Sequence, residues 1–147
     1  MEWIEPIYDR TQADVNFAIQ QIQMWRNEGI SKTVDLKGCF NASDMNRIEN
    51  NIQYLSDNLS DLYYFSDVVT KTWNKNDLPT VADIDRVIEN TRTIVLSVCD
   101  DAPELPTTLL TFVDVNTLEH TLYKIKMILD EMTASFMECD TFDCGEV

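Results

Sequence analysis

The chain contains one helix-start pattern four times: Thr11-Gln-Ala-Asp14-Val15-Asn16, Asn41-Ala-Ser-Asp44-Met45-Asn46, Thr80-Val-Ala-Asp83-Ile84-Asp85 and Asp114-Val-Asn-Thr117-Leu118-Glu119. Each copy opens with a residue whose side-chain oxygen can accept a hydrogen bond from the first turn of a helix. Three positions later comes Asp in three copies and Thr in the fourth. An acid there completes a capping box and lies near the positive end of the helix dipole. The pattern therefore predicts four helix starts, and it carries no chemistry.

Apolar residues follow each start at alternating steps of three and four residues, which places them on one helix face. The other positions are mostly polar, so each helix is predicted to be amphipathic, with one apolar stripe and one wet face. The predicted helices are 11–27, 41–61, 80–98 and 114–137. Two explanations stay open. The four units are copies of one internal repeat, or they are similar only because all amphipathic helices have this spacing of apolar residues. The stripes contain Val15, Ala18, Ile19, Ile22 and Trp25; Met45, Ile48, Ile52, Leu55 and Leu59; Ile84, Val87, Ile88, Thr91, Ile94 and Val98; and Leu118, Leu122, Ile125, Ile128 and Met132.

We expect a mainly α fold, with four amphipathic helices in a bundle-like arrangement and a single domain over 1–147. Residues 1–10 form an extended lead-in, and the acidic tail 138–147 is predicted to fray. The connections exceed the ~2–8 residues that are usual between bundle helices. They are therefore expected to pack across the bundle or to contact neighbours in a larger assembly. The β-rich stretches 62–70 and 107–113 allow one short β-hairpin.

The formal charge of −15 on 147 residues is extreme. Nucleic-acid binding depends on Lys and Arg that neutralise phosphates, so we expect neither nucleic-acid nor anionic-membrane binding. No apolar run approaches the ~20 residues that span a bilayer, and the start of the chain lacks the features of a signal peptide. The acidity fits a solvated surface, a basic partner surface or mimicry of DNA.

The sequence contains no recognisable catalytic motif. His120 is the only histidine, and with three glycines the chain has no phosphate-cradling loop. Glu49 and Glu89 do not form the paired Glu-x-x-His sets of a di-iron bundle, and Asp14, Asp44 and Asp83 are assigned to helix caps. The chain is therefore predicted not to be an enzyme and to bind no cofactor.

Four cysteines are present, and they form no Cys-x-x-Cys pair. Cys139 and Cys144 share an acidic tail, but a metal site would need further ordered ligands and a satisfied second shell. Free thiols in a reducing compartment are the expectation, and no metal is predicted. The remaining two are Cys39 and Cys99.

Aromatic residues flank the first two predicted helices, and aromatics are enriched at protein interfaces. They are therefore candidate partner contacts, and the alternative is that they close the ends of the bundle. The candidates are Trp3, Tyr8, Trp25, Tyr63, Tyr64, Phe65 and Trp73.

Six segments of the sequence together carry a resemblance. They are Trp3-Ile-Glu-Pro, Asp9-Arg-Thr-Gln-Ala-Asp14-Val, Cys39-Phe-Asn-Ala-Ser-Asp44-Met-Asn-Arg47-Ile-Glu49-Asn-Asn-Ile52-Gln-Tyr-Leu55, Thr70-Lys-Thr-Trp73, Asp77-Leu-Pro79-Thr and Asp83-Ile-Asp-Arg86-Val-Ile-Glu-Asn90. They resemble a segment family found in phages and prophages of low-GC Gram-positive bacteria. The similarity covers roughly residues 1–95 and extends more loosely from Leu105 through the fourth helix.

The resemblance implies a small virion-associated structural protein of the tail, baseplate or fibre region, made in the host cytoplasm. Its implied partners are other virion proteins and further copies of itself in a symmetric assembly. Because no fibre shaft or receptor-binding domain is evident, the expected role is an adaptor. The alternative is a free acidic binding protein, such as a phage-encoded inhibitor that mimics DNA.

Overall fold

A computed structural model describes residues 1–31, 34–101 and 104–141, with only the backbone described over 136–141. It contains four helices that pack together: α1 (Gln12–Glu28), α2 (Ala42–Asp61), α3 (Val81–Val98) and α4 (Phe112–Thr141). The predicted mainly α class is confirmed. The described residues contain no strand, so the hairpin allowed at 62–70 and 107–113 does not form.

The first three helix starts are confirmed, because a capping box closes each of α1, α2 and α3. In α1 the carboxylate of Asp14 accepts from the backbone N–H of Thr11 at 2.8 Å, and the Thr11 hydroxyl accepts from the backbone N–H of Asp14 at 3.3 Å. The Thr80–Asp83 box of α3 has the same form. Each box satisfies two of the backbone donors that a helix start leaves unpaired.

The predicted cap of α4 was wrong by three residues. Thr111, and not Asp114, opens the helix. The carboxylate of Asp114 accepts from the backbone N–H of Thr111 at 3.0 Å, and the Thr111 hydroxyl accepts from the backbone N–H of Asp114 at 3.2 Å. The β-rich composition of 107–113 hid this start, although tertiary packing readily overrides such a propensity. With the cap at Thr111, the fourth copy of the pattern also has Asp at its fourth position.

The end of α4 also differs from the prediction, since the helix continues to Thr141 rather than to about residue 137. Residues 138–141, predicted to fray, are therefore helical. The rest of the predicted frayed tail, 142–147, lies outside the described residues.

The lead-in 1–10 runs along both α2 and α4, towards their N-terminal ends. It contacts α2 first at Asn51, through Ile4, and later at Asp44, through Arg10. On α4 it contacts Glu119 through Ile7 and then Asn116 through Arg10. Since the same segment runs antiparallel to both helices, α2 and α4 are parallel to each other.

The connection between α2 and α3 repeats this arrangement. Ser66 bonds Ser56, Thr70 bonds Gln53 and Trp73 bonds Asn46, so the chain runs back along α2. On α3 it meets Asn90 at Val69 and then Asp83 at Lys71. The two helices are therefore parallel as well. This explains why the connections are long: each must return the chain to the end at which the helices begin.

The core is built by α2, α3 and α4 with side chains from the returning connections. None of the described core residues comes from α1, in which only Ala18 is buried. The core contains Met45, Ile48, Ile52, Leu55, Leu59, Trp73, Val87, Ile88, Ile94, Val95, Leu109, Val115, Leu118, Leu122, Ile125 and Leu129. No described helix is long and apolar enough to cross a membrane.

Candidate interaction surfaces

Two buried arginines and two buried carboxylates meet where α2, α4 and the lead-in come together. Arg47 donates to the two carboxylate oxygens of Glu119 at 2.8 and 2.7 Å, and to Asp44 at 2.7 Å. Arg10 donates to Asp44 at 2.9 Å and to Glu119 at 3.1 Å. Glu119 also accepts from the backbone N–H of Ile7 at 2.9 Å. We call these four charged side chains the ion network.

Glu49 forms a second buried ion pair, between α2 and α3. Arg86 donates to it at 3.0 and 2.5 Å, and the indole N–H of Trp73 donates at 3.2 Å. The two arginines Arg47 and Arg86 lie six residues after their own helix caps, and Glu119 and Glu49 lie eight residues after theirs. The contact between α2 and α4 is therefore repeated between α3 and α2.

These charged side chains pair with one another between helices and so support the fold. Burial disfavours the charged form of Arg47, but its bonds to Glu119 and Asp44 outweigh this and raise its pKa. The hydrogen bonds to Glu49 raise the pKa of Arg86, with burial opposing them. Each arginine therefore stays a permanent cation against its carboxylate, which suits a structural role and not proton transfer.

Four asparagine side chains hold the extended segments, each by bonding both the N–H and the C=O of one residue. Asn51 holds Ile4 at 3.0 and 2.7 Å, and Asn116 holds Arg10 at 3.3 and 2.9 Å. Asn46 holds Trp73 at 2.7 and 2.9 Å, and Asn90 holds Val69 at 3.4 and 2.8 Å. We call these contacts the amide clamps. They satisfy backbone groups that an extended segment without a sheet would leave unpaired.

Three of the seven aromatic candidates pack within the molecule. Trp73 is 3% exposed and belongs to the core. Trp3 is half-buried and meets the ring of Tyr54 edge-on at 5.7 Å. Tyr8, also half-buried, stacks on His120 at 4.8 Å between ring centroids. His120, the only histidine in the sequence, is exposed and therefore lies at the surface.

Tyr63, Tyr64 and Phe65 form an exposed aromatic run directly after α2, with 84%, 38% and 75% of their surfaces accessible. The backbone N–H of Tyr64 donates to the carbonyl of Leu59, and that of Tyr63 to the carbonyl of Ser60. These bonds form a Schellman ending, whose left-handed position usually holds glycine. Here Tyr63 occupies it with a φ of 67°.

The seventh candidate, Trp25, is half-buried on α1. The same helix exposes Phe17, Ile19 and Met24. The sequence assigned α1 one apolar stripe facing a core. In the structure Ala18 is buried and Val15, Ile22 and Trp25 are half-buried, while Ile19 is exposed. Three of the large apolar residues of α1 are therefore exposed, and none of them is fully buried.

The described residues contain no cluster of His, Cys, Asp and Glu able to hold a metal ion. Cys39 and Cys99 are free thiols, and the side chains of Cys139 and Cys144 lie outside the described part. A groove of about 330 Å³ lies between the starts of α1 and α4 and the turn before α2. Its lining is mostly apolar, with Arg10 as its charged member.

In comparisons with known proteins, no family model, no curated protein and no solved structure matches this chain.

Proposed function

We propose that the chain is a non-enzymatic structural protein of a phage virion, an adaptor in the tail, baseplate or fibre-attachment region that acts through protein–protein contacts. The observation that carries this proposal is the exposed aromatic run Tyr63, Tyr64 and Phe65 at the end of α2. Its partners would be other virion proteins and further copies of the chain. The virion assignment itself comes from the sequence resemblance.

The left-handed backbone conformation of Tyr63 lowers the stability of the fold, and this supports a role for Tyr63 in contacting another protein. A side chain with a left-handed backbone is strained by about 1–2 kcal/mol, and glycine would relieve the strain. The ring is 84% exposed, so it contributes little to the packing of its own chain. A strained, exposed aromatic at a helix end is typical of a residue kept for a binding partner.

The placement of the acids argues against a free inhibitor that mimics DNA. Such an inhibitor presents carboxylates on one continuous outer face. Here four acids close helix caps and two lie buried in ion pairs, so six carboxylates serve the fold. They are Asp14, Asp44, Asp83, Asp114, Glu49 and Glu119.

Mass spectrometry of purified particles from a phage that encodes the chain tests the proposal. We expect the protein to sediment with the particles at a fixed copy number. The variant Phe65→Ser should lower that copy number. The control variant Leu96→Ser changes an exposed apolar residue of α3 and should leave the copy number unchanged. Absence from the particles, together with recovery on a DNA-binding host protein, would instead identify an acidic inhibitor.

A further inference from the structure

We infer that α1 is a self-association helix: two copies of the chain pack α1 against α1 in antiparallel orientation, with Phe17 of one copy against Met24 of the other. The inference rests on the proposed function and deepens it, because it names a second copy as one partner and α1 as the surface.

Helix α1 has large apolar residues on two opposite sides. The first, with Val15, Ala18, Ile22 and Trp25, is buried or half-buried by its own chain. The second is a seam at steps of four, three, four and three residues, the spacing with which helices pack along each other. Every seam member is exposed; the members are Ala13, Phe17, Gln20, Met24 and Asn27.

The exposed seam is unusual for the outer side of a peripheral helix. Phe17 is 55% exposed and Met24 43% exposed, although a surface helix normally turns polar residues outward. A helix with apolar residues on two opposite sides is typical of a layer between two packed bodies. The rest of its own chain packs on one side of α1, and we infer that a second molecule packs on the exposed seam.

Charge favours a second copy of this chain as that body. Residues 12–28 contain two acids and one base, Asp14, Glu28 and Arg26, which gives a net charge of −1 in a chain of −15. Two such acidic chains repel each other strongly wherever their carboxylates meet. No member of the seam is charged, so α1 allows two copies to approach with little repulsion. A basic partner would be recognised by acids, which the seam lacks.

The seam is also self-complementary about Gln20. In an antiparallel pair centred there, Ala13 lies level with Asn27 of the second copy, and Phe17 lies within one residue, about 1.5 Å along the helix axis, of the level of Met24. Methionine sulfur packs favourably against aromatic rings. The two Gln20 amides face each other across a twofold axis, and each can both donate and accept a hydrogen bond.

Sedimentation equilibrium of the purified full chain tests the pairing. The measurement is made at 0.15 M and at 1 M NaCl, because the higher salt concentration screens charge–charge interactions more strongly. We expect a dimer that persists at high salt. Phe17→Glu and Met24→Lys should each weaken it at least tenfold, with unchanged circular dichroism. Leu96→Glu, at an exposed apolar site on α3, is the control and should leave the dimer intact.

A mixture of the two variants decides the orientation. In an antiparallel heterodimer one Phe17–Met24 contact stays native, and at the other site the new carboxylate faces the new ammonium. The mixture should therefore dimerise nearly as well as the wild type. A monomeric wild type, a dimer insensitive to Phe17→Glu, or a mixture no stronger than its components would overturn the inference. If the chain is a monomer but is found in particles, the pairing is overturned and the proposed function stands. If the chain is a dimer but is absent from particles, the proposed function is overturned and the pairing stands.

Discussion

Arg47 of α2 donates to Glu119 of α4 through two different guanidinium nitrogens, one to each carboxylate oxygen. Arg86 and Glu49 pair in the same way, at the same distances along the chain from their helix caps. A two-point pair between an arginine and a carboxylate has a demanding geometry. Both pairs therefore hold neighbouring helices in one register, in which parallel helices start at the same end of the bundle.

Removing the charge of Glu119 should strongly destabilise the fold. In Glu119→Gln the buried cations Arg10 and Arg47 lose a shared counter-ion, while the size of the side chain hardly changes. Breaking one partner of a buried ion pair typically costs about 3–5 kcal/mol. Urea unfolding followed by circular dichroism should show a loss of this size in the free energy of unfolding.

Glu49→Gln is the matched comparison, and its loss should be smaller. Its partner Arg86 is 22% exposed, against 4% for Arg10 and 10% for Arg47, so water can solvate the cation left behind. Equal losses for the two variants would show that burial of the arginines does not set the cost.

The amide clamps should hold the lead-in 1–10 in place. Asn51→Leu keeps the approximate size of the side chain but leaves the N–H and C=O of Ile4 without their partner. Ile4 is an exposed residue, so the expected cost is that of the lost hydrogen bonds, about 0.5–1.5 kcal/mol each. Hydrogen exchange at the Ile4 amide should become much faster, and proteases should cleave the lead-in sooner.

Asn58→Leu is the control for the clamp, because the Asn58 side chain bonds only the carbonyl of Tyr54 in its own helix. Exchange at Ile4 should not change in this variant. Similar acceleration in both variants would mean that packing, rather than the amide of Asn51, holds the lead-in.

Helix starts were readable from the sequence because their hydrogen bonds join residues three positions apart. The boxes at Thr11, Asn41 and Thr80 depend on local chemistry alone. At α4 the same rule predicts the start three residues too late, because Asp114 fits both the cap position and the acid position of a capping box. Thr111 carried the correct signal, since it places Asp three residues after a threonine as in α1 and α3.

The parallel packing and the ion network could not be predicted in the same way. Glu49 and Glu119 looked like ordinary charges, and nothing local indicates that they are buried against arginines of another helix. With the cap of α4 placed at Thr111, the sequence does contain one signal for these pairs. In neighbouring helices, an arginine lies six residues after the cap of one helix and a glutamate lies eight residues after the cap of the other. The stripe pattern does not predict the exposed seam of α1, because it assigns a single apolar face to each helix.

Gly38 should be needed for the turn before α2 to approach α1. A Cβ atom at this position would lie 2.0 Å from the carbonyl oxygen of Asp14, which is backbone and cannot swing away. Gly38→Ala should therefore destabilise this contact by about 1–3 kcal/mol, as overpacking does. Hydrogen exchange in the first turn of α1 should report the loss.

Gly29→Ala provides the comparison for Gly38. It introduces a left-handed strain at a φ of 68° but meets no atom within 4 Å. Its effect should stay at the C-terminal end of α1 and leave the first turn unchanged. If both variants loosened the first turn equally, close approach at Gly38 would not be the reason.

Tyr63→Gly should stabilise the protein by about 0.5–1 kcal/mol. Glycine relieves the left-handed strain, and its greater freedom in the unfolded chain offsets part of the gain. A rise in the thermal midpoint would confirm the strain at φ 67°. Tyr64→Gly, at a position without positive φ, should not raise it. A lower midpoint for Tyr63→Gly would mean that the exposed ring stabilises its own chain.

The capping acids Asp14 and Asp83 should give the fold a defined acid sensitivity. Hydrogen bonds from the backbone and side chain of Thr11 lower the pKa of Asp14 below 3.8, and those from the side chain and backbone of Thr80 do the same for Asp83. The folded state thus binds these protons less readily than the unfolded state. The stabilisation is complete above the unfolded pKa of about 4 and is lost as the pH falls through the lower folded pKa.

The double variant Asp14→Asn with Asp83→Asn should flatten this part of the stability curve. Asparagine keeps an oxygen that accepts the capping bonds but does not titrate. Urea unfolding at a series of pH values should show the wild type losing its advantage over the variant as the pH falls below about 4. A second double variant, Asp61→Asn with Asp100→Asn, removes two exposed acids outside the caps and corrects for the change in total charge. If the wild type and the double variant differ by a constant amount across this range, the caps do not cause the acid sensitivity.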